Sequence, residues 1–406
     1  MIGNEEMITI EELQIRWDRC RGLMDEFLPG AGGLFAFSRL NIYYFTGTFG
    51  SGLLWLPREG SPVLLSRRGI DRAREESPIK EIYPFKSYRD VKGILSDAGK
   101  PVSGSIGVEM NGLSWGMSNL FMKHMNGHEP LGADNVIGLT RAVKTHWELE
   151  KLRIAGKMHE KCMVELLPSR IRPGMTEMEI SRIISDLYFE HGNHGIMRME
   201  KYGEEVYSGH ISSGESANYP SVFNGPVGLR GVHPAVPHMG SDRKAWKIHE
   251  LLTIDNGFNH EGYMTDKTQV YWSGSAGNIP ADVKRAHAFC VETQGWIAEH
   301  LRPGSVPSEI WAHSAARAEE AGFSDGFMAL GGNKVFFAGH GIGLAVDEYP
   351  VLAEGFDRPL EEAMVIAVEP KIGIDGVGMV GVENTFEVTA EGGRSLTGNK
   401  YDIICI

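Results

Sequence analysis

The sequence has few cysteines, no long apolar run and a shortage of basic charge, and each shortage excludes a class of protein. Its four cysteines lie far apart and form no CxxC pair, so neither a zinc ribbon nor a disulfide scaffold is indicated: Cys20, Cys162, Cys290 and Cys405. No apolar run approaches the roughly 20 residues that a transmembrane helix needs. The acidic N-terminal stretch lacks the layout of a secretory signal. We therefore expect a cytoplasmic protein with reduced thiols and no membrane partner.

The charge balance argues against a nucleic-acid partner. The chain carries 40 basic and 53 acidic residues, for a net charge of −13. Binding to a phosphate backbone depends on clustered lysine and arginine. We expect no nucleic-acid partner.

The length predicts two domains, because 406 residues exceed one ordinary domain. We place the boundary near Val143, giving domains 1–142 and 143–406. The first reads as an α/β unit with a helix over 5–28 and strands at GGLFAF, NIYYFTG, GLLWLP and SPVLLS. It clusters neither metal ligands nor nucleophiles, so we expect a structural role, or one in the shape of the site and access to it.

The second domain contains an internal repeat. Residues 172–192 and 302–322 both open with Arg-Pro-Gly, carry Glu-Ile at the same offset and close on glycine. Amphipathic helices precede the two copies at 145–167 and 281–301. The first of these helices opens on a Thr145-x-x-Glu148 capping box and should stop before Pro168. Two such copies, each followed by strands, predict packing about a pseudo-twofold axis.

Four stretches after these helices supply metal-ligand residue types. An apolar run enters Asp255, and glycines separate it from Asp266, which predicts a hairpin that brings the two carboxylates together. His340 lies between two glycines, where small residues let backbone and metal come close. Glu369 ends a strand before a proline, and Glu383 lies in another β-branched run.

Four carboxylates and one imidazole aimed at one place bind cations or remain in water, because they cannot be buried unpaired. Mostly oxygen donors with one imidazole suit two divalent ions such as Mn, Fe, Co or Zn. Two neighbouring ions can bridge a hydroxide and polarise a carbonyl. Taken singly, each acidic residue is more often a cap or a surface charge, so the prediction depends on the complete set.

These motifs resemble the pita-bread metallopeptidases, a family that includes methionine aminopeptidase, prolidase, aminopeptidase P and the metal-free creatinase. The matching motifs are D-x-G-x4-GY-x2-D from Asp255, GHG-x-GL from Gly339, A-x-EP from Ala367 and V-E-N-T from Val382. The resemblance covers 143–406, and LNIYYFTG extends it less specifically to a creatinase-like N-terminal domain. It implies an α+β fold, with an α/β N-terminal domain before a pseudo-twofold catalytic domain.

The resemblance also implies a function. The two-domain layout points to the Xaa-Pro aminopeptidase and dipeptidase branch, with small peptide substrates, manganese as the first choice of metal and usually a homodimer. By the family pattern Asp255 chelates one ion, Asp266 and Glu383 bridge both, and His340 and Glu369 bind the other. Glu369 is then also the expected general base.

The sequence departs from the family pattern at three positions. Asp347 replaces a histidine that contacts the substrate carbonyl, Phe336 replaces a second histidine, and Gly381 replaces an arginine. An ionised Asp cannot donate to a developing oxyanion, so proline specificity is in doubt. These departures favour an alternative in which the same scaffold and metals act on a non-peptide small molecule, as a lyase or another hydrolase. A non-catalytic binding protein is a third reading.

The remaining candidates are loop histidines. The resemblance implies a further substrate-contacting histidine 17 residues before Asp255, which is His238, and His233 in the same loop is the alternative. We expect Asp347 to lie beside the metals and to pair with one of these histidines or with a cationic substrate group such as an amine. Other histidines are predicted to be structural or exposed: His210, His249, His260 and His313.

Overall fold

The computed structural model describes residues 7–200 and 206–406. The chain divides into two compact units, Met1–Arg141 and Ala142–Ile406, and both combine helices with sheet. Among the described residues, no helix is both long and apolar enough to cross a membrane.

The first unit is built on a mixed sheet. Its strands are β1 (Ala31–Ala36), β2 (Ser51–Pro57), β3 (Val63–Arg68), β4 (Ile82–Pro84), β5 (Ser105–Val108) and β6 (Pro130–Gly132). Its helices are α1 (Ile10–Phe27), α2 (Arg39–Thr46), α3 (Ile70–Glu76), α4 (Val91–Asp97), α5 (Trp115–His124) and α6 (Asp134–Ala142). The strand order is β4-β3-β2-β1-β5-β6, and Phe35 packs at 4.4 Å from Trp55 and 5.1 Å from Phe121, measured between ring centroids. The strands predicted at GGLFAF, GLLWLP and SPVLLS are confirmed.

The strand predicted at NIYYFTG is wrong, because this segment forms helix α2. The Ser38 side chain accepts a hydrogen bond from the Asn41 amide and so caps the start of the helix. Gly47, at φ 78°, ends the helix in the left-handed conformation. Ile42 and Phe45 are three residues apart and both buried, so the aromatic and β-branched residues that suggested a strand instead form a helical face.

Helix α1 begins later than the predicted 5–28. Thr9 has an extended backbone, and its side chain accepts from the Glu12 amide, which starts the helix at Ile10. Residues 5 and 6 of the prediction lie outside the described residues.

The second unit contains the repeat. Its helices are α7 (His146–Glu160), α8 (Glu177–Glu190), α9 (Ala281–His300) and α10 (Pro307–Glu320). Its strands are β7 (Gly209–Ser213), β8 (Leu251–His260), β9 (Tyr263–Trp272), β10 (Phe337–Gly341), β11 (Glu348–Ala353), β12 (Val365–Val368), β13 (Lys371–Ile374), β14 (Gly378–Gly381), β15 (Glu383–Thr389), β16 (Gly392–Ser395) and β17 (Ile404–Cys405).

Helix α7 confirms the predicted capping box, since Thr145 and Glu148 each cap the backbone of the other. Its α-helical part is shorter than predicted. The backbone continues as a π-helical turn over Lys161–Leu166 and a 3-10 turn over Leu167–Ser169, which includes Pro168.

The main sheet confirms the predicted pseudo-twofold arrangement. Its strand order is β11-β10-β12-β15-β9-β8-β7. Moving outward from the central β15–β9 pair, β12 and β10 on one side match β8 and β7 on the other. The Arg-Pro-Gly turns match as well, because Gly174 and Gly304 have φ values of 94° and 92°.

Candidate metal centre

The β8–β9 hairpin brings Asp255 and Asp266 together, as predicted. A two-residue turn at Glu261 and Gly262, with φ values of 49° and 89°, joins the strands. Asp255 lies opposite Thr268, and Asp266 lies two positions along on the partner strand. The two carboxylates are therefore diagonal neighbours on the same face of the sheet.

His340 lies on β10, with the β11 and β12 backbones close on either side. A Cβ at Gly339 would lie 2.4 Å from the Ala367 carbonyl oxygen, and one at Gly341 would lie 2.2 Å from the Tyr349 carbonyl oxygen. The flanking glycines are thus required by close strand packing, where the sequence had suggested close approach of a metal. The His340 Nδ1 lies 3.0 Å from the Gly341 carbonyl oxygen, so Nδ1–H donates there and leaves Nε2 facing the carboxylates.

Glu369 and Glu383 complete the set. Like His340, they follow the second copy of the repeat, whereas Asp255 and Asp266 follow the first. Glu369 follows β12 and Glu383 begins β15, and both side chains are buried. The His340 Nε2 lies 3.6 Å from Glu369 Oε1 and 3.7 Å from Glu383 Oε1. The Thr268 hydroxyl donates to Glu383 Oε2 at 3.0 Å.

The donor atoms form two overlapping groups, within each of which all the ligand atoms lie inside 4.8 Å of one another. Asp266, His340 and Glu383 form the first group, and Asp255, Glu369 and Glu383 form the second. Glu383 belongs to both groups and lies between them.

A lysine that belongs to none of the sequence motifs occupies the second group. The Lys371 Nζ donates to Glu383 at 2.6 Å, to Glu369 at 2.8 Å and to Asp255 at 3.2 Å. The Lys371 side chain is fully buried. Burial would lower the pKa of Lys371, but the attraction of these three carboxylates outweighs burial and holds the pKa well above its usual value.

The first group has a different electrostatic balance. Burial raises the pKa of Asp266 well above its usual value, and the nearby Glu383 and Asp255 charges raise it further. Burial lowers the pKa of His340, but its contact with Glu383 and the charges of Glu369 and Glu383 raise it to about 10. In this group the Lys371 ammonium donates to Glu383 but not to Asp266, and the donor set of Asp266, His340 and Glu383 fits one divalent ion. The second group already holds the ammonium of Lys371, so it does not fit a further ion.

A cavity of about 230 Å³ opens onto these donors. Apolar side chains line much of its wall: Met197, Met199, Val206, Phe223, Phe337, Val346 and Val351. His210, which the sequence analysis read as structural or exposed, is buried and also lines this cavity. It lies opposite Asp255 in the β7–β8 pair, and burial followed by the Lys371 charge lowers its pKa to about 4. His210 is thus a neutral imidazole beside the metal donors.

Asp347 lines the cavity, as expected of a residue beside the site. Its Oδ1 accepts a hydrogen bond from the Glu200 backbone amide at 2.6 Å. Pairing of Asp347 with a histidine or with a substrate amine stays a prediction.

Neither predicted loop histidine lines the cavity. His233 is exposed, and its Nδ1 accepts from the Ala235 amide at 3.1 Å. The His238 ring packs at 5.6 Å from the Phe223 ring, which also contacts the His210 ring at 4.9 Å. His238 thus lies one layer behind the cavity wall, and a substrate contact by either histidine stays a prediction.

Comparison with known proteins decides the family. Residues 150–390, more than half of the chain, match metallopeptidase family M24, and residues 16–143 match the creatinase/prolidase N-terminal domain. The chain belongs to metallopeptidase family M24. Membership confirms the resemblance that the motifs indicated and implies the use of divalent metal.

Individual M24 relatives agree over nearly the whole chain. The sequence is 25% identical over 367 residues to a Xaa-Pro dipeptidase of Pyrococcus furiosus, covering 90% of this chain and 93% of that protein. The fold matches a Xaa-Pro dipeptidase from Bacillus anthracis with a TM-score of 0.78 and 22% identity, covering 97% of this chain and 100% of that one. It also matches an X-Pro aminopeptidase from Thermotoga maritima with a TM-score of 0.76 and 22% identity, covering 96% and 99%. These matches confirm the predicted two-domain α+β fold.

Proposed function

We propose that this protein is a metal-dependent peptidase of the Xaa-Pro dipeptidase type that acts on short peptides. The observation that carries the proposal is the group formed by Asp266, His340 and Glu383, which lies at the base of a small cavity and fits a divalent ion. The relatives named Xaa-Pro dipeptidase support this choice of substrate class.

A divalent ion held by that group supplies a Lewis acid for the scissile carbonyl and acidifies water. The side chains of this chain perform the remaining tasks. Asp266, His340 and Glu383 would hold the ion, and Asp255 would belong to the same acidic cluster. Glu369, 3.6 Å from His340, would accept the proton of the attacking water and pass it to the leaving amine.

The cavity suits a short substrate with one apolar side. Its volume of about 230 Å³ is small beside the roughly 300–1,000 Å³ of common ligand pockets. Phe223, Phe337 and Val351 offer an apolar wall for a side chain or a proline ring, whereas Asp347 offers a negative charge for the amino terminus. We propose that His238 and His233 act through the loop behind this wall.

Turnover of a peptide panel tests the proposal. Chelated protein would be reloaded with Mn²⁺ and given Xaa-Pro dipeptides, matched Xaa-Ala dipeptides and longer Xaa-Pro peptides. We expect hydrolysis of the dipeptides, loss of activity with a chelator, and loss of both metal and activity in Asp266→Ala. Full activity after strong chelation would overturn the proposal.

A second candidate has its own supporting observation. This chain has Gly381 where the family pattern has an arginine, and Asp347 where it has a histidine donor. The groups that would hold a peptide carbonyl are therefore changed. Metal bound without turnover of any peptide would favour a non-peptide substrate, in a lyase or another hydrolase. The complete donor set argues against a non-catalytic binding protein.

Finer properties belong to the same proposal. We propose manganese as the working metal, with zinc, cobalt or iron as alternatives, in a cytoplasmic homodimer without nucleic-acid or membrane partners. The oxygen-rich donor set supports manganese as the metal. The net charge of −13 supports the absence of a nucleic-acid partner.

A further inference from the structure

We infer that the ammonium of Lys371 permanently takes the place of one of the two metal ions, so that this protein binds a single divalent ion at Asp266, His340 and Glu383. The inference rests on the proposed function and replaces the two ions expected from the sequence with one. It starts from an observed position, because Lys371 Nζ lies among the acceptors of the second donor group.

The hydrogen bonding of Lys371 is complete. A lysine ammonium carries three donors, and three carboxylate oxygens accept them, from Asp255, Glu369 and Glu383, at 2.6 to 3.2 Å. An ion in the same place would need the same oxygens at about 2.0–2.2 Å. The ammonium and a second ion therefore exclude each other.

The surroundings keep Lys371 where it is. Its side chain is fully buried, and its backbone begins β13 opposite Gly381. The Lys371 carbonyl also accepts from the Met328 amide at 2.9 Å. Displacing the ammonium would leave a buried charge without its partners, which is among the most costly changes inside a protein.

The charge balance agrees with a single ion. Four carboxylates converge here, from Asp255, Asp266, Glu369 and Glu383. Lys371 and one divalent ion offset three of these negative charges when His340 is a neutral ligand. A second ion beside Lys371 would instead leave a net positive charge in a buried site.

The role of Lys371 follows from its chemistry. An ammonium can orient carboxylates and balance their charge, but it has no empty orbital with which to act as a Lewis acid. Lys371 would thus hold Asp255, Glu369 and Glu383 in position, while the ion of the first group alone provides the metal chemistry.

Metal stoichiometry tests this count without any substrate. Full-length protein stripped by a chelator would be equilibrated with Mn²⁺ alone, and bound metal measured by elemental analysis and electron paramagnetic resonance. We expect one Mn²⁺ per chain with the spectrum of an isolated ion. We expect Lys371→Met to bind two ions with a spin-coupled spectrum, and Lys371→Arg, which keeps the charge, to remain at one.

Lys267→Met is the matched control. Lys267 is equally buried, but its Nζ donates to the Asn384 side chain at 2.7 Å and to none of the carboxylates of the two groups. We expect this variant to remain at one ion per chain.

A second pair of variants keeps the inference testable if Lys371→Met does not fold. Asp266→Asn should abolish Mn²⁺ binding, whereas Asp255→Asn should leave one ion bound, because Asp255 serves the lysine. Two ions in the wild-type protein would overturn the inference and leave the proposed function intact. No bound ion in the wild-type protein would overturn both.

Discussion

Gly381 lies directly opposite Lys371 in the antiparallel β13–β14 pair. A Cβ at Gly381 would lie 2.4 Å from the Pro370 carbonyl oxygen and 2.6 Å from the Lys371 Cα. The family pattern has an arginine at this position, so β14 of this protein lacks a large cationic side chain. Strand β13 supplies a cation instead, the ammonium of Lys371. That Cβ would also lie 3.0 Å from the Lys371 Cγ, so the glycine leaves room for the Lys371 side chain.

Gly381→Ala should therefore destabilise the protein strongly. Gly381 has a φ of 138°, a conformation that costs an L-residue about 1–3 kcal/mol, and the clash with Pro370 adds to this cost. We expect the free energy of unfolding in urea to fall by about 3 kcal/mol or more. Gly376→Ala is the control in the same hairpin, because Gly376 also has a positive φ, of 72°, but nothing lies within 4 Å of its Cβ position. Equal losses in the two variants would contradict the clash.

The Lys144–Glu348 ion pair makes a second prediction. Its atoms lie 3.0 Å apart with side chains only 1% and 4% exposed, and Glu348 also accepts from the Ala345 amide. Lys144→Met removes the ammonium that pairs with this buried carboxylate, so we expect a loss of about 3–5 kcal/mol in the free energy of unfolding. The double variant Lys144→Met with Glu348→Gln should recover much of that loss, which a double-mutant cycle in urea measures. A single variant as stable as the wild type would show that the pair contributes nothing.

The sequence predicted which acidic side chains cluster with His340 because their signals are local. An apolar strand precedes Asp255, and a turn separates it from Asp266. The repeat is visible as identical residues at matching positions of its two copies. Lys371 carries no such signal, since two of its three partners, Asp255 and Glu383, lie on other strands. His210 was missed for the same reason, because its place in the cavity depends on pairing with β8, far along the chain.

Acid should destabilise the protein partly through His159. This histidine is fully buried, and its Nδ1 lies 3.2 Å from the Thr265 hydroxyl. Burial, with a contribution from the Lys267 charge, lowers its pKa to about 3, so the native ring stays neutral while the unfolded ring takes up a proton below its ordinary pKa of about 6.5. The stability contributed by His159 is complete above that pH and is lost as pH falls from about 6.5 towards 3. At pH 5 the loss is about 2 kcal/mol.

Urea unfolding at pH 7.5 and pH 5.0, with chelator present at both, checks this prediction. The difference in free energy of unfolding between wild type and His159→Gln should shrink by about 2 kcal/mol at the lower pH. His146→Gln controls for loss of a histidine, because His146 begins the same helix with its side chain 79% exposed. A wild-type advantage that is the same at both pH values would rule out His159 as a source of acid sensitivity.

The last prediction concerns Asp347 and the amino terminus of the substrate. Asp347→Asn keeps an oxygen that can accept from the Glu200 amide, so the wall of the cavity should keep its shape while one negative charge is lost. A hydrogen bond to a charged group contributes about 1.5–3 kcal/mol, so we expect kcat/KM for dipeptides with a free amine to fall by about tenfold or more. Metal content should not change. Turnover of N-acetylated peptides, which lack the free amine, should be no lower in the variant than in the wild type. Asp357→Asn is the matched control, because Asp357 is exposed outside the cavity and accepts a similar hydrogen bond from Ser308 at 2.6 Å. An unchanged kcat/KM for free-amine substrates would remove Asp347 from substrate binding and leave its charge without a role in specificity.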